Sequence, residues 1–344
     1  MIQGIGGSLL AANSAAIITD AFPATERGKA LGVNQVAGTA GSVIGLVTGG
    51  ILTATLGWRS IFWINIPIGG FATVWSYKML KELNRPERKE RLDYIGNLLF
   101  GPGLAIFLLG TTFGAISGWT TIDLALMIAG LILLAFFIIV ETRTKVPMMD
   151  LALFKIRAFS SGILSNLLAA ISRGAVLLVL VFYFQGALLL DALTAGLLLI
   201  PYSVAFVTIG PLSGALSDKY GSRRFAVTGM LLSAVAFFFF SLLPARVSYN
   251  ILVIPMVIVG AGAGMFIAPN TASIMNSVPI LRRGIASGMS AMLVNTGFLL
   301  SLSLTFAVMT TVISPSTLQQ IFAGVSVPGG VNLDLFAHKP LRTR

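Results

Sequence analysis

Residues 122–140 read IDLALMIAGLILLAFFIIV, and no charged side chain follows Asp123 within this stretch. A helix needs roughly 20 predominantly apolar residues to cross the hydrocarbon core of a bilayer. The run lacks the alternation of polar and apolar residues that is typical of barrel strands in a membrane. The stretch therefore predicts a transmembrane helix.

The rest of the chain repeats this pattern. Of its 344 residues 56% are hydrophobic and 10% are charged, whereas a soluble domain carries about 25% charged residues. We therefore predict an all-α polytopic membrane protein, a helical bundle of about ten membrane spans. Spans one to ten are expected at 1–19, 29–55, 60–79, 94–117, 122–140, 158–188, 194–217, 225–243, 250–275 and 285–311.

The positive charge is distributed unevenly between the loops. Lys and Arg concentrate after spans one, three, five, seven and nine, whereas the alternate loops hold only Arg59 and Arg246. Because cytoplasmic loops carry the excess of Lys and Arg, the first set is predicted to be cytoplasmic in a multi-pass protein of the cell membrane. The net charge of +11 is thereby accounted for by topology, and nucleic acid is not an expected partner.

The sequence also argues against metal and enzyme chemistry. It contains no Cys and a single His, His338 in the polar tail, so disulfides and thiolate metal sites are excluded. Nothing in it resembles a nucleotide-binding loop, a metal cluster or a catalytic triad. We expect no catalytic residue, no bound metal and no cofactor.

The chain contains an internal repeat at an offset of 256 residues, which pairs spans one and two with spans nine and ten. The match includes the connecting loop, where Pro23, Arg27 and Gly28 align with Pro279, Arg283 and Gly284. Parallel repeats are a common plan of transporters. If each half has six spans, two extra spans lie between the halves, and three spans before Met1 and one after span ten are expected to be absent.

This arithmetic predicts the domain organisation. We expect the remainder of the first half at 1–79, a cytoplasmic linker at 80–93, two inserted helices at 94–140, a second cytoplasmic linker at 141–157, the second half at 158–311 and an extracytoplasmic polar tail at 312–344.

Four stretches resemble the fourteen-span drug:proton antiporters of the major facilitator superfamily. Gln3-Gly4-Ile5-Gly6-Gly7 resembles the signature of the fourth span. Trp58-Arg59 with Asn65 and Pro67 resembles the start of the sixth span. The antiporter motif of the fifth span is matched by Gly41, Gly45, Gly49 and Gly50, and the inter-helix loop motif by Gly210, Gly214, Asp218, Gly221, Arg223 and Arg224.

The resemblance implies secondary transport by alternating access, with proton-coupled efflux of drugs or other small amphipathic compounds. In the family, the loop motif is a latch that favours one access state. Asp218 can accept hydrogen bonds from a helix N-terminus or pair with Arg, and Gly221 permits a positive φ. The alternative is an ordinary positively charged cytoplasmic loop. Gly41, Gly45 and Gly49 recur every four residues, a spacing that lets two backbones approach closely, either in a sliding interface or in static packing.

The candidates for the substrate path are polar residues inside the spans. Arg173 lies near the middle of span six, where a charge is costly and usually faces a cavity, although it could also reach towards an interface. Amide side chains at such positions also serve simply to join helices. The other candidates are Asn13, Gln35, Asn166, Tyr183, Gln185, Asn270 and Asn295.

The acidic residues all fall in loops, at span ends or in the tail. Proton coupling, with the proton gradient as driving force, therefore follows from the resemblance alone. Two alternatives remain: a truncated remnant or membrane scaffold that does not transport, and the same fold carrying an amino acid, a peptide or a siderophore. The expected partners are a small-molecule substrate and membrane lipid, and the protein is expected to be a monomer.

Overall fold

The computed structural model describes residues 2–80, 93–117, 119–144, 147–188, 190–244 and 247–309. These residues form helices joined by short loops, and none of them lies in a strand. The linker predicted at 80–93 falls almost entirely outside the described residues, and the tail predicted at 312–344 falls wholly outside them. The α-helices are α1 Ile2–Ala21, α2 Arg27–Leu56, α3 Ser60–Met79, α4 Tyr94–Ser117, α5 Thr121–Glu141, α6 Arg157–Phe182, α7 Ala192–Leu198, α8 Ile200–Tyr220, α9 Ser222–Leu242, α10 Tyr249–Ser277 and α11 Arg283–Met309.

Each predicted span coincides with helix, and the predicted fold class is confirmed. Span seven is divided into α7 and α8 at Leu199, and span six ends in a π-helical turn at Tyr183–Ala187. Within the described residues, seven helical segments are long and apolar enough to cross a membrane, and they begin with Tyr94–Gly114 and end with Ile280–Met309.

The helix ends follow from local sequence. Thr120 and Asp123 form a reciprocal capping box at the start of α5, and the Asp191 side chain accepts hydrogen bonds from the first turn of α7. Such caps satisfy the N–H groups that have no partner within the helix. Gly221 separates α8 from α9 with a φ of 90°, and this left-handed backbone is the conformation the sequence predicted for it.

α10 is the most deeply buried helix and packs between α8 and α9. Its glycines allow this, because side chains there would meet neighbouring backbone. A Cβ on Gly262 would lie 2.7 Å from the Gly229 oxygen of α9, and a Cβ on Gly264 would lie 2.9 Å from the Phe206 oxygen of α8. Close backbone approach at small residues is the usual way in which membrane helices associate.

The elements of the two predicted halves contact each other mainly through α1 and α2. α2 packs against α8 and α10, and α1 packs against α11. α4 of the hairpin α4–α5, predicted to be inserted between the halves, packs against α11, which also packs against α6. The loops that begin α2, end α8 and begin α11 lie together at one end, called here the basic end because it carries Arg27, Lys219 and Arg282.

Candidate functional site: the contact between the halves and the polar interior

Asp218 joins the last turn of α8 to the first turn of α2. Its Oδ1 accepts a hydrogen bond from the Gly28 N–H at 2.9 Å, and its Oδ2 accepts one from the Lys29 N–H at 3.1 Å. A carboxylate at this position satisfies otherwise unpaired N–H groups and interacts favourably with the helix dipole. The prediction that Asp218 accepts from a helix N-terminus is confirmed, and the helix concerned belongs to the other predicted half.

The backbones of α2 and α8 are in direct contact beside this carboxylate. A Cβ on Gly28 would lie 2.5 Å from the Gly214 oxygen, and a Cβ on Gly32 would lie 2.8 Å from the Pro211 Cα. By contrast, a Cβ on Gly41 or Gly45 further along α2 would meet no heavy atom within 4 Å. The close approach therefore lies at the start of α2, and a packing role for the antiporter-motif glycines, including Gly49 and Gly50, stays a prediction.

A second contact between the halves is made by residues that the internal repeat relates to one another. Arg283 Nη1 forms an ion pair with Asp20 Oδ1 at 2.9 Å. Arg27 Nη1 donates to Asn276 Oδ1 at 2.5 Å, and its Nε donates to the Thr19 oxygen at 2.9 Å. At the offset of 256 residues, Asp20 aligns with Asn276 and Arg27 with Arg283. Each arginine thus contacts the residue seven positions before its repeat mate, Arg27 with Asn276 and Arg283 with Asp20, an arrangement called here the reciprocal clasp.

The clasp concentrates charge in a half-buried position. Burial lowers the pKa of Arg27, the Arg283 guanidinium lowers it further, and Asp20 raises it. The Arg283 side chain is 10% exposed and that of Asp20 is 21% exposed. Asp20 therefore offsets the repulsion between two neighbouring cations, and its loss would leave them facing each other.

A buried polar cluster links α6, α10 and α11. Asn270 donates to the Gly162 oxygen at 2.9 Å and to Asn166 Oδ1 at 3.0 Å, and Asn166 donates to Ser290 Oγ at 3.1 Å. The structure thus brings together two residues that the sequence predicted separately, and the contact joins helices. Ser290 was not predicted, because serine is common in these helices and only its neighbours single it out.

Arg173 lines a cavity with residues of α9 and α10. The cavity has a volume of about 140 Å³, and Ser172, Met230, Ser233 and Phe237 also line it. Arg173 Nε donates a long hydrogen bond to the Ala169 oxygen at 3.4 Å. No carboxylate among the described residues forms an ion pair with it. The charge is consequently left facing the cavity.

The remaining predicted residues lie outside these contacts. Asn13 is exposed and donates only to the Leu9 oxygen of its own helix, at 2.9 Å. The Tyr183 hydroxyl is buried, and none of the described residues forms a hydrogen bond with it. Gln35 is half-buried, Gly210 is buried without a close neighbour at its Cβ position, and Gln185, Asn295, Arg223 and Arg224 are exposed.

Comparisons with known proteins agree with this architecture. The model of the Major Facilitator Superfamily matches residues 1–142 and 162–342. The riboflavin transporter RibZ of Clostridioides difficile is 32% identical over 87% of this chain and 65% of its own length. The multidrug resistance protein Stp of Mycobacterium tuberculosis is 29% identical over 83% of this chain and 53% of its own length.

A third relative, the tetracenomycin C resistance and export protein of Streptomyces glaucescens, is 26% identical over 86% of this chain and 55% of its own length. The chain thus spans about half to two thirds of the length of these curated relatives. The family model covers most of the chain, on both sides of a gap that runs from the end of α5 into the start of α6. The chain belongs to the Major Facilitator Superfamily.

Proposed function

We propose that this chain is a secondary transporter of the fourteen-span drug:proton antiporter type, which exports drugs or other small amphipathic compounds by alternating access. The proton gradient as driving force, the cell membrane with the basic end in the cytoplasm, and a monomeric state belong to the same proposal. Two of the relatives named above, a multidrug resistance protein and an export protein, support the assignment to drug efflux.

The observation that carries the proposal is the chemistry of the contact between the halves. At the basic end, α8 holds α2 through the Asp218 carboxylate, and the reciprocal clasp holds α1 to α11. Hydrogen bonds and ion pairs at a wettable end can be exchanged for water at low net cost. Alternating access needs such a contact, because the two halves must separate at this end in one state and close in the other.

Substrate recognition is assigned to the interior of the second half. The cavity beside Arg173, at about 140 Å³, is smaller than the roughly 300–1,000 Å³ of pockets for drug-sized ligands. A substrate of that size would therefore enter only if α6, α9 and α10, which line the cavity, moved apart. The uncompensated Arg173 charge would favour a substrate with an anionic or electron-rich group.

The test is ethidium efflux from energised cells that express the chain, with and without a protonophore. We expect efflux that the protonophore abolishes, and its loss in Arg173→Ala. Arg157→Ala is the matched control: it removes the same charge, but from an exposed residue at the start of the same helix. Asp218→Asn is expected to slow efflux. No efflux of any tested compound, with the protein present in the membrane, would favour a remnant or scaffold that does not transport.

A second candidate substrate class is riboflavin and related planar heteroaromatic compounds. The observation that favours it is the 32% identity to a riboflavin transporter. Riboflavin movement is measured in the same cells beside ethidium. Transport of riboflavin without ethidium would replace the drug-efflux proposal, and an amino acid, peptide or siderophore would be tested next if neither moves.

A further inference from the structure

Two carboxyl groups meet at the base of the inserted hairpin, away from the contact between the halves. Asp93 directly precedes α4, and Glu141 is the last residue of α5, which packs along α4. The loop at 147–150, a few residues further along the chain, contacts both carboxyl groups. Two helix ends and one loop thus converge on the carboxyl pair.

Each carboxyl group holds backbone N–H groups. Asp93 Oδ1 accepts from the Gly96 N–H at 2.8 Å and Oδ2 from the Met148 N–H at 3.4 Å. Glu141 Oε1 accepts from the Met149 N–H. These bonds attach the 147–150 loop to both ends of the hairpin.

The second oxygen of Glu141 lacks a donor. Glu141 is 3% exposed, and among the described residues no group donates to its buried Oε2. What it faces is the Asp93 carboxyl group: Asp93 Oδ2 and, at 3.1 Å, Glu141 Oε2 both crowd the position that a Cβ on Gly96 would take. Two ionised carboxylates offer acceptors only, so a hydrogen bond between them requires one proton.

We propose that Asp93 and Glu141 form a proton-binding carboxylate pair, whose single shared proton ties the 147–150 loop to the inserted hairpin. With the proton on Glu141, Oε2–H donates to Asp93 Oδ2 and every oxygen of the pair has a partner. Without it, two like charges share a buried site, a situation that strongly favours rebinding of one proton. The proton comes from water on the side of the membrane where the basic end lies.

The surroundings assign the charge to Asp93 and the proton to Glu141. The Gly96 N–H holds the pKa of Asp93 below its usual range, with further contributions from the Glu141 side chain and the Met148 N–H. Of the described residues, the charged side chain in contact with Glu141 is Asp93. α11 packs against α4, but its charged residue, Arg283, is paired with Asp20, and Asp150 is turned towards Arg282 and the Ala152 N–H.

The proton has a mechanical consequence for the contact between the halves. The loop that it ties down continues into Asp150, which forms an ion pair with Arg282. Arg282 immediately precedes Arg283 of the reciprocal clasp. Loss of the proton therefore loosens the segment that anchors the loop before α11, so the pair acts as a pH sensor beside the clasp. This inference does not depend on the proposed transport activity.

Hydrogen exchange of the Met148 and Met149 amides in the full chain, reconstituted in lipid, tests the proposal. After correction for intrinsic rates, we expect their protection to rise at least about tenfold between about pH 9 and about pH 5. Glu141→Gln places a permanent donor opposite Asp93, so protection should stay high and vary less than about twofold over this range. Asp93→Asn serves as a second isostere that is followed at the Met149 amide alone, because its amide nitrogen donates to Glu141 but cannot accept from the Met148 N–H.

Asp191→Asn is the matched control, because Asp191 also caps a helix but lies far from a second carboxyl group in the chain and is exposed. It should keep the pH dependence of the unaltered chain. Protection that is independent of pH in the unaltered chain would overturn the proposal. So would an unchanged pH response in both isosteres, or protection that appears only when a divalent cation is added.

Discussion

Replacement of Gly214 by alanine tests the idea that the halves close by backbone contact between α2 and α8. A Cβ on Gly214 would lie 2.7 Å from the carbonyl carbon of Gly28 and 3.2 Å from the Lys29 nitrogen. These are backbone atoms of a regular helix, which cannot yield as a flexible side chain would. The methyl group therefore forces α2 away from α8 and strains the two hydrogen bonds to Asp218.

The expected magnitude follows from measured overpacking effects. One inserted methyl group in a close-packed contact costs roughly 1–3 kcal/mol, and here the cost falls on the closed arrangement of the halves. An equilibrium between closed and open arrangements shifts by roughly 5- to 150-fold for such an energy. Gly210→Ala on the same helix is the control, because a Cβ there meets no heavy atom within 4 Å and the gain in helix propensity is the same.

The assay uses the absence of cysteine from the chain. Ser217→Cys places one thiol at the α2–α8 contact, where Ser217 is 3% exposed, and its reaction with a maleimide reports how often this contact opens. Gly214→Ala in that background should react roughly 5- to 150-fold faster, whereas Gly210→Ala should match the parent. Equal rates for the two alanine variants would refute the reasoning, since steric contact would then not hold the halves closed.

Two further predictions concern the polar contacts. Asn270→Ala leaves the Gly162 oxygen and Asn166 Oδ1 without their donor, so thermal unfolding in detergent should show a loss of stability of about 1–3 kcal/mol. Asn13 is exposed and bonded to its own helix, so Asn13→Ala should lose almost no stability. Equal losses for the two variants would contradict the assigned cluster. Asp20→Asn gives position 20 the same residue as its repeat mate Asn276 but removes the charge opposite Arg283. The reaction of maleimide with the thiol of the Ser217→Cys variant should therefore accelerate several-fold. Glu26→Gln in the same loop, exposed to solvent, should leave it unchanged, and an effect of Glu26→Gln as large as that of Asp20→Asn would rule out a specific role of the clasp.

Hydropathy predicted the helices because it is a local property. An apolar run long enough to span a bilayer must satisfy its backbone internally, and this requirement alone gives helix for spans such as 122–140. The internal repeat likewise identified Arg27 and Arg283 as related positions. The conformation of Gly221 was predicted correctly for a similar reason, since a positive φ in a tight turn depends on neighbouring residues only. For Asp218 the sequence predicted the type of partner, a helix N-terminus, but not which helix supplies it.

The spacing of residues along the sequence could not reveal contacts between residues that lie far apart in the chain. Gly41 and Gly45 carry the regular spacing, yet Gly28 and Gly214, with no shared spacing, are the residues whose backbones touch. Asn166 and Asn270 were separate candidates until the packing of α6 on α10 brought their amides to 3.0 Å. A glycine or an amide has the same local sequence signal whether or not a partner helix lies against it.

What the sequence by itself determined is the set of helices, the two-fold repeat and the residue types available at their ends. What only the tertiary structure decided is which ends meet: Asp218 with Gly28, Asp20 with Arg283, and Asp93 with Glu141. The physical reason is that helix formation is driven by backbone hydrogen bonds within one segment, whereas these pairings depend on the positions of side chains that only packing brings within hydrogen-bonding distance.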